Sequence, residues 1–200
     1  MGMVWMQVLA QEKTTPSKNE PKKRKTIVRP ARCPRVYINT STGINNNTAI
    51  MGFSFDVPLP NNLSVEAGVG TGTWGDKIYA GLKYYLSPCQ RGFAVGLGLA
   101  YCPGVPHDSH DLETIYGTTE TIVYNKNPQT SLLLMAYKYW TIGKKYNRLY
   151  AETGWSMPIT SGDKITQLSG HPMSSKAMDG LNSGIESAPI LAVGVSFGIY

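Results

Sequence analysis

Charged residues are scarce in this chain of 200 residues: Asp, Glu, Lys and Arg make up 16% of it, against about a quarter in ordinary soluble domains. No run of eighteen apolar residues occurs, which argues against a transmembrane helix. The three cysteines show neither CxxC nor zinc-ligand spacing. Hydrophobic residues nevertheless make up 42%, too many for a disordered chain. With 21 glycines and 12 tyrosines, this composition is typical of a small transmembrane β-barrel.

The basic residues are concentrated at the N-terminus. The first 35 residues carry nine Lys or Arg against two Glu, whereas the remaining 165 balance at −1. Residues 1–10 (MGMVWMQVLA) are apolar and end at Ala-Gln, which we interpret as the remnant of a signal peptide. Residues 11–34 predict a basic flexible linker, and 35–200 the folded barrel domain. The run PKKRK at 21–25 resembles a nucleic-acid patch, but no nucleic-acid module follows it, so no nucleic-acid partner is expected.

Beyond residue 35, hydrophobic side chains alternate with small or polar ones. Six segments follow this period of two and predict strands: 49–57, 63–70, 78–86, 93–101, 148–157 and 191–199. Two weaker segments, 35–42 and 129–142, bring the number to eight. The second is apolar on both faces. We assign Leu133, Met135, Tyr137 and Tyr139 to one face of it, because that places Lys138 on the other, toward the interior.

The connections differ between the two ends of the predicted sheet. Tight turns at 58–62, 87–91 and 143–147 share one end, and the long segments 103–128 and 160–187 share the other. Short periplasmic turns and long external loops are typical of outer-membrane barrels. The sequence therefore predicts an all-β fold, an antiparallel up-and-down eight-stranded transmembrane β-barrel whose two long segments are external loops.

Several segments then resemble a known family. The signal-like end VLAQ, glycine-dense strands such as SVEAGVGTGTW and FAVGLGLAY, and a final strand LAVGVSFGIY are similar to those of small outer-membrane β-barrel proteins. The nearest in character are barrels of the OmpA and OmpX kind and their counterparts in Bacteroidetes. The resemblance implies a location in the bacterial outer membrane, with the terminal aromatic Tyr200 recognised by the barrel-assembly machinery. We expect a monomer surrounded by outer-membrane lipid, with no cofactor.

The interior of an eight-stranded barrel is only wide enough to be filled by side chains. If the apolar faces meet lipid, five charged residues enter the lumen: Asp56, Glu66, Lys83, Lys138 and Glu152. Buried charges need partners of opposite sign. We therefore expect Glu66 and Glu152 to pair with Lys83 and Lys138 in a closed polar core. The protein would then have a structural or adhesive role through its external loops. A narrow porin-like pore along the same residues is the alternative.

Two other classes stay open. A soluble lipocalin-like barrel would turn its apolar faces inward onto an apolar ligand, but its Gly-rich outer surface with few charges would suit water poorly. An outer-membrane lipid-modifying enzyme could use the loop motif His107-Asp-Ser-His110, and the same residues with Asp111 could bind a divalent metal. A long loop offers these groups no rigid frame, so we expect neither catalysis nor a metal site.

Cys33 and Cys89 both fall at the tight-turn end. A disulfide between them in an oxidising compartment and three unpaired thiols are the two alternatives, with Cys102 unpaired in either case.

Overall fold

The computed structural model describes residues 33–143, 147–182 and 187–200. The expected signal remnant, 1–10, and nearly all of the expected linker, 11–34, lie outside the described residues. Eleven strands and one helix follow one another: β1 (Val36–Asn46), β2 (Ala49–Pro58), β3 (Leu63–Gly72), β4 (Gly75–Ser87), β5 (Arg91–Cys102), β6 (Val105–Glu113), β7 (Thr119–Lys126), β8 (Gln129–Ile142), β9 (Asn147–Pro158), β10 (Ile165–Ser169), α1 (Ser175–Asn182) and β11 (Ala188–Ile199).

Eight of these strands close a barrel in the order β1-β11-β9-β8-β5-β4-β3-β2. Each neighbouring pair is antiparallel, and β1 pairs with β11 from Val36–Ile199 to Ile44–Leu191, so the sheet has no free edge. In a closed barrel every strand is hydrogen-bonded to a neighbour on both sides, so no edge strand remains. The predicted all-β, up-and-down, eight-stranded barrel is confirmed.

The barrel has an apolar outer face and a polar inner face. Along each strand, large hydrophobic side chains point outward and stay about half exposed, such as Phe53 at 60% and Leu97 at 50%. Aromatic residues mark both margins of this apolar band: Tyr84 and Trp140 at one end, Tyr101 and Trp155 at the other. This is the arrangement of side chains found where rings meet the two interfaces of a bilayer.

The two ends of the barrel differ, and we name them by their connections. The turn end carries the β2–β3, β4–β5 and β8–β9 connections, and the loop end carries the β1–β2, β3–β4, β5–β8 and β9–β11 connections. Left-handed backbone at Asn61, Asn62, Cys89 and Gln90 makes the first two turns tight. A Cys33–Cys89 disulfide, with the Cα atoms 5.1 Å apart, ties the chain preceding β1 to the turn end.

The two long segments at the loop end are not plain loops, contrary to expectation. Strands β6 and β7 form a hairpin within 103–128, and β10 adds to β7, giving a second antiparallel sheet in the order β10-β7-β6. Its apolar cluster contains Trp74, Ile122, Tyr124, Ile165 and Met173, with residues of α1 packed against it. The alternation of Ile122 and Tyr124 along β7 supplies this small core, which is why the segment folds.

Among the described residues, no helix is long and apolar enough to cross a membrane.

Candidate functional site

The lumen contains most of the charged residues of the described barrel strands. Four of the five predicted residues lie there, each at most 2% exposed: Asp56, Glu66, Lys83 and Glu152. Lys138 does not, and the expectation for it is wrong. On β8 the residues facing inward are Leu133, Met135, Tyr137 and Tyr139, so Lys138 points outward, with its ammonium 3.9 Å from the ring centroid of Phe93.

Glu66 and Lys83 form the central cluster of the lumen. Lys83 Nζ lies 2.8 Å from Glu66 Oε2, and both side chains are 1% exposed. Ser54 Oγ and Asn39 Nδ2 donate to Glu66 Oε1 at 2.7 and 3.1 Å, and Asn47 Nδ2 donates to Oε2 at 3.3 Å. This carboxylate therefore has four donors around it, which is what a charge removed from water requires.

Aromatic rings surround the ammonium of Lys83. It donates to the hydroxyl of Tyr139 at 3.2 Å and lies 4.1 Å from the ring centroid of Tyr137. Cation–π contacts of this kind strengthen when water is excluded. Glycines of β5 make room for the lumen tyrosines, since a Cβ on Gly98 would overlap the ring of Tyr79 and one on Gly96 would lie 3.1 Å from the ring of Tyr137. The lumen therefore packs tyrosine against glycine around the central ion pair.

A second cluster, the turn-end cluster, joins Asp56 to Arg148. Arg148 Nη2 lies 3.5 Å from Asp56 Oδ2, which also accepts a short hydrogen bond from Tyr85. The guanidinium donates to Ser196 Oγ at 2.9 and 3.2 Å and to the Gln90 carbonyl at 2.7 Å. Because Gln90 belongs to the β4–β5 turn, this cluster connects that turn to the wall of the barrel.

The β1–β2 turn at the loop end folds into the lumen instead of away from it. Asn46, Asn47 and Thr48 are at most 1% exposed. The turn lies against Gly70, where a Cβ would overlap the carbonyl oxygen of Thr48, so this position requires glycine. Lys77 Nζ donates to the Asn46 carbonyl at 2.7 Å. The turn thus plugs the loop end from inside.

Glu152 lies close to this plug. Neither of its carboxylate oxygens has a hydrogen-bond partner in the described part of the chain. Lys138, one of the two lysines expected to pair with the lumen acids, cannot pair with Glu152, because the two residues face opposite sides of the wall.

The described lumen holds three acids and three bases, so its formal charge balances. Two of the bases, Lys77 and Arg148, were not among the predicted site residues. The signal for Arg148 was available, because it shares strand parity with Tyr150 and Glu152. Lys77 lies just outside the predicted strand 78–86, and the structure extends that strand to Gly75. The charge balance and the buried polar side chains suit a closed barrel, and they differ from the apolar interior that a lipocalin-like barrel would have.

The histidine motif lies on β6 of the second sheet, not in a plain loop. His110 Nε2 is 3.4 Å from Asp108, and Asp111 accepts a hydrogen bond from Thr121 at 2.7 Å. No hydrogen bond joins the Ser109 hydroxyl to either His107 or His110 in the described residues, so no nucleophile–base pair is assembled there. The described residues also contain no group of three side chains placed to bind a metal.

Ion pairs stabilise the second sheet. Lys126 Nζ lies 2.7 Å from Asp108 Oδ2, and its hydrogen bond and charge lower the pKa of that carboxyl below 3.8. His171 Nδ1 lies 2.9 Å from Glu120 Oε2, and this hydrogen bond likewise lowers the pKa of Glu120. Burial raises the pKa of Tyr124 to about 12. Together these contacts give the second sheet a fixed charged surface above its small apolar core.

Comparison with known proteins finds a similar solved structure. No protein-family model and no curated protein matches the chain. The crystal structure of CarO from Acinetobacter baumannii is similar with 12% sequence identity and a TM-score of 0.45, and the alignment covers 82% of this chain and 97% of CarO. The functional conclusion therefore depends on the geometry of the barrel itself.

Proposed function

We propose that this chain spans a bacterial outer membrane as a closed barrel and presents the β10-β7-β6 sheet at the cell surface. The observation that carries the proposal is the reversed polarity of the barrel, with ion pairs inside and an apolar band outside. Soluble monomers rarely expose contiguous apolar patches of more than a few hundred Å². In lipid such a surface is favourable, and a closed barrel satisfies its own backbone hydrogen bonds there.

The lumen supports a structural role more than transport. The inward β1–β2 turn, the central cluster and the turn-end cluster follow one another from the loop end to the turn end. Each consists of hydrogen-bonded side chains that are almost fully buried. A filled interior leaves the second sheet as the part of the molecule available for contact with a partner, which suits an adhesive or other surface-interaction role.

Membrane insertion and orientation can be tested together. We expect extraction only with detergent and a heat-modifiable mobility on gels. In a Cys102→Ser background, Ser109→Cys on β6 should react with a membrane-impermeant maleimide on intact cells, and Leu59→Cys at the turn end only after permeabilisation. A protein found in the soluble fraction would refute the membrane proposal, and the reverse labelling pattern would refute the orientation.

The role of the second sheet can be tested by removing it. Cys102 and Gln129 pair directly across β5 and β8, so a short Gly-Asn-type turn can replace residues 103–128 without changing the barrel register. We expect the shortened protein to keep its heat-modifiable mobility and cells that carry it to lose adhesion to host surfaces or extracellular matrix. Unchanged adhesion in a correctly inserted variant would refute the surface-interaction role.

A narrow pore is the second candidate, and Glu152 favours it. A buried carboxylate without a well-formed partner is the kind of group that lines an ion path. Planar-bilayer recording of the purified chain tests this, with Glu152→Gln as the variant. Cation-selective steps that Glu152→Gln reduces would establish the pore, whereas a silent bilayer with inserted protein would support the closed barrel.

A further inference from the structure

The outer face of the barrel contains one unusual charge. Among the outward-facing strand residues that the structure describes, Asp76 and Arg91 lie at strand ends, and Lys138 is the single charged side chain within the apolar band. Trp140 lies two residues nearer the turn end, at the margin of the band. A lysine on a lipid-facing surface is costly unless its ammonium reaches polar groups. In the described residues Lys138 has no ion pair and no hydrogen bond, and its ammonium contacts only the Phe93 ring.

A cleft lies beside Lys138 on this outer surface. Its volume is about 490 Å³, within the range of about 300–1,000 Å³ that small-molecule sites occupy. The cleft exists because small outward residues, Ala136 on β8 and Ala151 and Thr153 on β9, form its floor. Larger neighbours form its walls: Ile44, Leu191, Val193 and Phe93.

The strand register places the charge at one wall of this cleft. Val193 pairs with Ala151, Ala151 with Lys138, and Lys138 with Phe93, and all four side chains point outward. An acyl chain lying on Ala151 would therefore have the ammonium of Lys138 directly beside it on β8, and one lying on Ala136 would have Lys138 two residues nearer the turn end. This combination of apolar floor and single cation is complementary to a molecule with an acyl chain and an anionic head.

We propose that the cleft binds an anionic phospholipid, with an acyl chain over Ala136, Ala151 and Thr153 and its phosphate on Lys138. The inference rests on the proposed membrane span and orientation, in which the turn end meets the periplasmic leaflet. A phospholipid is the occupant that this leaflet offers. The phosphate then supplies the negative charge opposite the Lys138 ammonium, and the cleft holds the acyl chain beside it.

Native mass spectrometry of the full chain in detergent tests the site, with dioleoylphosphatidylglycerol and dioleoylphosphatidylethanolamine as probes. We expect the wild type to bind phosphatidylglycerol preferentially. Lys138→Met should reduce that preference about fivefold, the contribution of one lysine near a membrane surface, and Lys138→Arg should retain it. Ala151→Phe fills the cleft and should reduce binding of both lipids. Ala67→Phe, an outward alanine on β3, is the matched control and should change neither.

The result that overturns the site is equal lipid binding by wild type, Lys138→Met and Ala151→Phe. The Lys138 ammonium would then extend toward the membrane–water interface without binding a particular lipid. Insertion of each variant into vesicles is measured first, by detergent extraction and heat-modifiable mobility. A wild-type protein that inserts but shows no lipid preference refutes the site alone. A wild-type protein that never inserts refutes the membrane proposal on which the site depends.

Discussion

Replacing Glu66 with leucine removes the carboxylate at the centre of the lumen. Four donors converge on it, and Lys83 at 2.8 Å is the charged one. Ser54 and Asn39 keep a hydrogen bond to each other at 3.0 Å after the change. In direct contact with its ammonium, Lys83 then keeps the neutral hydroxyl of Tyr139 and the ring of Tyr137. The variant therefore leaves an uncompensated cation in a space closed to water.

The expected loss follows from that buried cation. Removing one partner of a buried ion pair costs about 3–5 kcal/mol, and cation–π contacts offset part of it, up to about 2 kcal/mol when they are desolvated. The Asn47 amide also loses its acceptor, at about 1–3 kcal/mol. We therefore expect Glu66→Leu to lower the free energy of unfolding by about 3–5 kcal/mol. Glu66→Leu combined with Lys83→Met should recover most of this loss, because a hydrophobic pair can replace a buried ion pair at little cost.

Urea unfolding in phosphatidylcholine vesicles, followed by the heat-modifiable mobility on gels, measures these free energies. Lys176→Met, on the exposed side of α1, is the control and should unfold like the wild type. A loss below about 1 kcal/mol for Glu66→Leu, the size expected for an exposed pair, would refute the reasoning. A double variant no more stable than Glu66→Leu would do the same.

Three further changes probe other parts of the molecule. Gly70→Ala should lower the free energy of unfolding by about 1–3 kcal/mol, because its Cβ would overlap a carbonyl oxygen of the inward turn. Urea unfolding measures this loss, and a variant as stable as the wild type would show that the turn does not need this close contact. Reducing the Cys33–Cys89 disulfide should lower the free energy of unfolding by about 2–4 kcal/mol, seen as a lower urea midpoint with reductant. The Asp108 carboxylate, with its lowered pKa, stabilises the second sheet above its ordinary pKa, and this stabilisation is lost as the pH falls through the lowered value. Lys126→Gln should move the Asp108 titration, followed by carboxyl NMR, up toward 3.8; an unmoved titration would contradict the pairing.

Strand alternation was enough to predict the barrel, because each wall residue meets either lipid-like surroundings or the lumen. In β2 to β5 the large apolar residues and the small or polar ones separate cleanly, as at Phe53 and Phe55 against Ser54 and Asp56. In β8 they do not, because the inward residues from Leu133 to Tyr139 are themselves apolar or aromatic. Polarity alone then suggested the wrong face for Lys138.

The site was predictable where charge followed the strand pattern and unpredictable where it depended on long-range packing. Glu66 and Lys83 share the inward parity of neighbouring strands, so their proximity could be expected. The contact between Lys77 and the inward turn could not, since it depends on a two-residue connection bending into the lumen over glycines of β2 and β3. The second sheet was missed because β7 and β10 are separated by β8 and β9 in the sequence, so no local pattern indicates that they pair.

The inward β1–β2 turn has a consequence for the order of assembly. Most of its supports come from the first three strands, namely Ser41 on β1, Gly52 on β2, and Glu66 and Gly70 on β3, and Lys77 on β4 adds one hydrogen bond. Contacts this close in sequence form at a small entropic cost, whereas the β1–β11 seam joins the two ends of the domain. Strands β1 to β3 can therefore pack around the inward β1–β2 turn before the remaining strands of the barrel pair. We therefore expect the barrel to close around an occupied interior, with the β1–β11 seam forming last.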